Sequence, residues 1–408
     1  MTVGIFNTGN FTPDIAKKSF AGMLTRLMPN GTAPLFVLTS MLQNNTAVQV
    51  EHGFFTKTMI FPGMVLSANI AAADTTLTVS STANLLPGQL HRFEQTKEIV
   101  IINQILSATQ VLVSRGVGSV AAAGITIATQ NPNAYQVGNA YEEASIRPQA
   151  LAINPVRVTN LTQIFRNTWA ISGSTEATQV IAGDTNVAEN RQDCAAFHAA
   201  DIEKALFFGQ KSQGYRNGQP FRTMDGLVNI VSNIGYYPPS YSAPNVFPAG
   251  ATTTYTQLED MLDPTLDQTT DPKTGNERLI FVGARAHRVI NNIGRLNGEY
   301  QLQHGQTEWG LRFTTFMTTR GTFRLVEHPL FNTNPDWAKM AVVVDTATFN
   351  VAYLNGRTTQ NKEFNTSGQV VDNGIDAVGG SLLSELTCEV HNPPANAIIT
   401  GLTAAAEG

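Results

Sequence analysis

Charge is what this 408-residue chain has least of. Asp, Glu, Lys and Arg make up 14% of it, against about 25% in an ordinary soluble domain. Thr, Asn, Gln, Ala and Gly stand in their place. So few charges protect a free monomer poorly against association. Two readings follow: a low-charge, β-rich or extracellular protein, or a surface that is largely interface, where charged residues are depleted. Arginine outnumbers lysine 17 to 9, and interfaces favour the planar, multidentate guanidinium. The net charge is −5 and no Lys/Arg run exists, so no electrostatic footprint for nucleic acid is visible. No apolar run reaches the ~20 residues of a membrane span. The start, MTVGIFNTGNFTPDIAKKSF, has no apolar core with a cleavage site, so no secretion signal is expected. Cysteine is nearly absent: Cys194 and Cys388 are far apart and read as free thiols of a chain made in a reducing cytoplasm.

Recognisable chemistry is missing too. The seven histidines, at 52, 91, 198, 287, 304, 328 and 391, never take a metal spacing such as H-x-x-x-H. GVGSVAAAG (116–124) departs from G-x-G-x-x-G at the third glycine, and no amphipathic helix follows. It reads as a turn of small residues. No Walker loop and no G-x-S-x-G elbow occur. Asp193, Asp201 and Glu203 read as a solvated or ion-paired helix face, His198 as a structural helix residue, and Cys194 as a buried, inert thiol. No catalytic residue, metal ligand or cofactor is expected.

What is present is an ordered succession of patterns. Residues 1–61 read as an arm, with an amphipathic helix in DIAKKSFAGMLTRLMPNG stopped by Pro29 and Gly31. Residues 62–135 give short strand-like pieces (TTLTVSS, QLHRFE, EIVIINQIL, QVLVSR, ITIAT) separated by turns, the signature of a small all-β insertion. Residues 136–183 are extended. Within them TQIFRNTWAISGST (162–175) places Phe165, Asn167, Trp169 and Ile171 on one face and Ile164, Arg166, Thr168 and Ala170 on the other. From Asn186, a candidate N-cap with Glu189 completing a capping box, a helix over 187–208 is predicted. Its expected stripe is Cys194, Phe197, Asp201, Ala205 and Phe208, with Ile202 and Leu206 beside it, and Gly209 is its expected C′ residue. Residues 210–308 alternate loops (KSQGYRNGQPFRTMDG, GYYPPSYSAPNVFPAG) with helices (YTQLEDMLDPTL, ARAHRVINNIGRL) and one buried strand, RLIFVG. Strands return from 309 to the end.

This order, carried by NLTQIFRNTWAISGS (160–174), DIEKALFFGQ (201–210), RTMDGLVNIV (222–231), TTFMTTRGTFRLVEHPLF (314–331), VVVDTATFNVAYL (342–354) and SELTCEVHNPPANAIITGL (384–402), resembles the major capsid protein of tailed bacteriophages. The match is to the α+β Hong Kong ninety-seven fold, in the branch with a β-rich insertion. The resemblance implies an N-terminal arm (1–61), an insertion domain (62–135), an extended loop over a neighbouring subunit (136–183), a peripheral domain with a spine helix (184–223 and 309–408) and an axial domain (224–308). It implies self-assembly into hexamers and pentamers of an icosahedral head enclosing double-stranded DNA. The partners it implies are portal and scaffold or decoration proteins, with DNA on the inner face. Phe165, Arg166, Trp169 and Arg157 are the expected inter-subunit contacts. Some relatives cross-link a loop lysine to an asparagine of a neighbour. Here no lysine lies between Lys97 and Lys204, so no such cross-link is expected. Two other classes fit the same composition: another virion or surface structural protein, such as a tail component or adhesin, and a cytosolic enzyme with a β accessory domain.

Overall fold

The computed structural model describes residues 44–57, 63–150, 155–178, 186–237, 241, 243–267, 276–296, 303–308, 311–364 and 376–406. The predicted arm helix lies outside the described residues. The chain divides into two units: residues 57–156, and a discontinuous unit made of 1–56 and 157–408.

Before the insertion, β1 (Asn45–Ala47) and β2 (Glu51–Thr56) belong to the larger unit. Within the smaller unit lie β3 (Gly63–Val65), β4 (Thr76–Thr78), β5 (Gln89–Phe93), β6 (Ile99–Ser107), β7 (Gln110–Ser114) and β8 (Asn133–Asn139). They form one antiparallel sheet in the order β3-β8-β5-β6-β7-β4. Period-2 alternation builds its core: Leu77, Val79, Phe93, Val100, Ile102, Val111 and Val113 point to the same buried cluster. ITIAT forms no strand; Ile125 makes an isolated bridge to Ile70 and is buried in that core. The expected limit at residue 135 is corrected. β8 crosses it, pairing with β5 as far as Gln89↔Asn139, and the Tyr141 hydroxyl donates to the Pro87 carbonyl at 3.1 Å. Residues 136–141 thus fold with the insertion. A buried ion pair fastens the unit. Arg115 holds Glu98 through Nε at 2.6 Å and Nη2 at 2.7 Å, and Glu98 also accepts from the Gly116 and Ala123 amides. The GVGSVAAAG turn is therefore wrapped around a carboxylate.

The chain returns in β9 (Val156–Leu161), which pairs with β2, and β10 (Gln163–Ser172). A short helix α1 (Gly173–Ala177) follows, then the long helix α2 (Asn186–Phe208), close to the predicted span. Its buried stripe is rotated from the expected one. Cys194, His198, Ile202 and Leu206, with Glu203 and Phe207, are inside, while Phe197 is 66% exposed. The rotation brings two polar residues, His198 and Glu203, inside, and both are bonded there. His198 lies between Asn167 and Ser384, and Glu203 meets His328 at 2.8 Å. Gly209 has another role than a left-handed cap. A Cβ there would come within 2.6 Å of both the Ala205 and Met224 carbonyls, and one on Gly226 within 2.6 Å of the Gly209 nitrogen. These two glycines let the end of α2 touch the start of the next helix.

After β11 (Ser212–Arg216) and β12 (Gln219–Thr223), the chain forms α3 (Leu227–Ser232), β13 (Val246–Pro248), α4 (Tyr255–Leu262), β14 (Glu277–Val282) and α5 (Ala284–Leu296). Thr254 and Gln257 cap α4 reciprocally in a capping box. The remaining strands are β15 (Gln303–Glu308), β16 (Leu311–Met317), β17 (Thr322–Glu327), β18 (Ala341–Val344), β19 (Phe349–Leu354), β20 (Gln360–Phe364), β21 (Ala377–Val390) and β22 (Ala397–Thr400). Five of these join β13 and β14 in one mixed sheet, β13-β22-β18-β14-β17-β16-β15. The buried run RLIFV explains its position near the middle, since a strand covered on both faces reads as continuous apolar sequence. Leu279 and Phe281 enter one core with Val342, Val344 and Ile398, beneath α2 and α3. Ile280 and Val282 enter the other with Val343 and Ile399, beneath α4 and α5. The expected boundary at 308/309 is therefore corrected: β14 pairs in parallel with β17 and antiparallel with β18, so residues on both sides of it share one sheet. A second sheet, β1-β19-β21-β10 with β20 also on β21, lies under α2.

Candidate assembly surface

β10 is a structural strand of the chain's own core before it is anything else. It pairs antiparallel with β21 over its whole length, from Gln163↔Leu386 to Ser172↔Ala377, and is an edge strand of that sheet. Its two faces separate as the alternation predicts. Phe165, Trp169 and Ile171 are buried, and Ile164, Arg166, Thr168 and Ala170 are exposed.

The covered face is held by α2. Burial pushes the His198 imidazole below its ordinary pKa, so the ring is neutral and needs one donor and one acceptor. Its Nδ1 donates to Asn167 Oδ1 at 2.8 Å and its Nε2 accepts from Ser384 Oγ at 2.8 Å. Asn167 also donates to Asp201 Oδ2 at 2.9 Å. Trp169 lies against the backbone of β21. A Cβ on Gly380 would stand 3.0 Å from its Nε1, so Gly380 makes room for the ring, whereas a Cβ on the neighbouring Gly379 would meet the Phe364 ring. The Arg191 guanidinium covers it at 5.5 Å and is ion-paired with Glu363.

This corrects the expectation for two of the four contact residues. Phe165 and Trp169 are 7% and 4% exposed within one chain and pack in its own interior. They face α2 because the strand carries its bulky residues in phase with that helix. Gly380 of β21, opposite Trp169, is the signal in the sequence that marks this seat. Arg166 and Arg157 differ. Both are exposed; Arg157 stands 3.5 Å from Glu51, and Arg166 projects from the open face beside Ile164, which is 49% exposed.

Two further surfaces were not anticipated. KSQGYRNGQPFRTMDG contains a hairpin rather than a loop. β11 and β12 pair as a separate two-stranded sheet through Asn217-Gly218, whose φ values of 51° and 73° are those of a type I′ turn, the conformation that Asn-Gly favours. That dipeptide was the available signal. Tyr215 and Phe221 are exposed on the hairpin. The second is a groove on α5, lined by Arg285, Arg288 and Arg295.

Among the described residues, no group of three His, Cys, Asp or Glu side chains is placed to hold a metal ion. No described helix is long and apolar enough to cross a membrane. Cys194 and Cys388 are free and buried, and burial raises both thiol pKa values. What the chain does present is exposed apolar side chains, Ile164 on the edge strand β10 and Tyr215 and Phe221 on the hairpin.

The comparisons name the family. The model of the SU10 major capsid protein family matches residues 3–403. A major capsid protein of Pseudomonas phage PaMx41 is 37% identical over 416 residues, covering 99% of this chain and 97% of the relative. Among solved structures, the capsid of a native GTA particle is similar with a TM-score of 0.47 at 8% identity, over 98% of both chains. A Mycobacterium phage Patience structure has a TM-score of 0.41 at 13% identity, over 65% of this chain and 78% of that one. The chain belongs to the SU10 major capsid protein family, and the expected recognition as a phage major capsid protein is met.

Proposed function

We propose that this chain is the repeated subunit of an icosahedral phage head of the Hong Kong ninety-seven type, assembling into hexamers and pentamers around double-stranded DNA. The single observation that carries the proposal is the family match from residue 3 to residue 403. In this reading the unit under α2 (β1, β10, β19, β20 and β21) is the peripheral part. The sheet carrying α4 and α5 is the axial part, and residues 57–141 decorate the shell. The extended-loop role narrows to the segment around 142–161, which carries Arg157, and the outward Arg166 on β10 is a second inter-subunit contact. The subunit's role is structural, with no catalytic step. Portal, scaffold and decoration proteins are its partners, and it is made in the host cytoplasm. Electron microscopy of the protein expressed with its phage partners tests this. Closed shells with five-fold and six-fold capsomers are expected, and monodisperse monomers under all conditions would refute it.

A further inference from the structure

The outer face of α5 is cationic. Arg285, Arg288 and Arg295 lie at spacings of three and seven, on the side opposite the buried Ala286, Val289, Ile290 and Ile293. With Asn292 and Thr403 they line an open groove of about 520 Å³. All three are exposed, and none has an ion-pair partner among the described residues. A short stretch bearing three guanidiniums and no carboxylate repels itself unless an anionic surface meets it. Elsewhere the chain carries that surface. Along α4 and the turn that follows, Leu258, Leu262 and Leu266 face the core, and Glu259, Asp260, Asp263 and Asp267 fall on the outer side. Arg320 is the cation ion-paired there, 3.6 Å from Asp263 and 2.7 Å from Asp267. Glu259 accepts from the Tyr255 hydroxyl at 2.8 Å. Asp260 is exposed and has no ion-pair partner among the described residues. Four carboxylates against one guanidinium leave this stripe with an excess opposite to that of α5.

We propose that the Arg285–Arg288–Arg295 groove of one copy receives the Glu259–Asp260–Asp263–Asp267 stripe of a second copy. The proposal rests on the self-assembly reading and adds the surface that orients one subunit against the next. Two different, complementary patches on one chain make a head-to-tail contact, the kind that closes into a ring when the rotation allows. Charge on such a contact sets register and rejects misaligned encounters more than it adds affinity. Guanidinium is suited to it because its planar fork meets carboxylates bidentately.

The test is a charge swap in the full chain. Arg285→Glu/Arg288→Glu, and separately Asp260→Lys/Asp267→Lys, should each lower particle yield about ten-fold, the size of effect that a 1.4 kcal/mol loss produces. Melting of the unassembled subunit should hold within a degree or two for the arginine pair, whose side chains are exposed and unpaired. The combined four-site variant, in which opposite charges face each other again, should recover most of the yield. Wild-type yield from either reversal alone, or a combined variant no better than its parents, overturns the proposal. Shells formed in normal number but with reduced DNA content also overturn it, by showing that the groove serves phosphodiester instead. If the wild-type chain itself gives no shells in the same system, the self-assembly reading fails, and that failure is separate from any effect of the swap.

Discussion

Truncating Trp169 to alanine tests whether β10 belongs to its own subunit or to a neighbour. The ring is 4% exposed, seated on Gly380 and roofed by Arg191. Removing it costs the transfer free energy of the indole and leaves a cavity between α2 and β21, about 3–5 kcal/mol for a fully buried aromatic. At roughly 2–4 °C of melting shift per kcal/mol for a large domain, the unassembled subunit should melt about 6–20 °C lower. Trp169→Phe is the informative companion. The indole Nε1 is buried without a hydrogen-bond partner, so the phenyl ring forfeits volume but no hydrogen bond and should cost about 1–2 kcal/mol. Arg166→Ala on the opposite face has no buried contact to lose and should leave the melt within about half a kcal/mol of wild type. Scanning calorimetry on unassembled subunits, beside particle counts by electron microscopy, separates the outcomes. If Trp169→Ala melts like wild type yet yields no particles, the ring's energy is spent on a neighbour and its intrachain assignment is wrong.

Three other perturbations have defined outcomes. Arg115→Met leaves the buried Glu98 carboxylate unpaired, which costs about 3–5 kcal/mol; limited proteolysis should then cut within 57–156 while the larger unit stays protected. Glu389 is buried, which raises its pKa, but hydrogen bonds from His391, Asn45 and His52 outweigh this and hold it below the ordinary 4.5. A depressed folded pKa means that its stabilisation is present above pH 4.5 and lost as the pH falls through the folded value, so Glu389→Gln should flatten the acid limb of a stability–pH curve and lower the melt at pH 7. Boiled, reduced particles should run as single chains of about 44 kDa because no lysine lies between Lys97 and Lys204; a ladder of multimers would show that another lysine reacts.

Legibility in the sequence followed from how local each signal is. α5 is found where its apolar spacing places it, since Ala286, Val289, Ile290 and Ile293 repeat at helical period, and the alternation in β5 and β7 marked the insertion core for the same reason. Whether a strand's apolar face meets its own helix or another chain is not local. Phe165 and Trp169 alternate identically in either case, and the deciding feature for the indole, Gly380, lies about 210 residues away. The rotation of the α2 stripe has a similar origin. His198 and Glu203 look like surface residues until Ser384 and His328 arrive from distant strands to satisfy them, because a buried polar group is tolerated once it is hydrogen-bonded. The same dependence decided the division of the larger unit. RLIFV announces a strand buried on both sides, but its partners are chosen by long-range pairing, and β17 and β18 come from the region assigned to a different domain. A subunit built for assembly sharpens this ambiguity. Its interior and its interfaces use the same residue types, so composition does not separate them, and only the three-dimensional placement of Arg166, Tyr215 and Arg288 shows that these side chains lie exposed on the single chain.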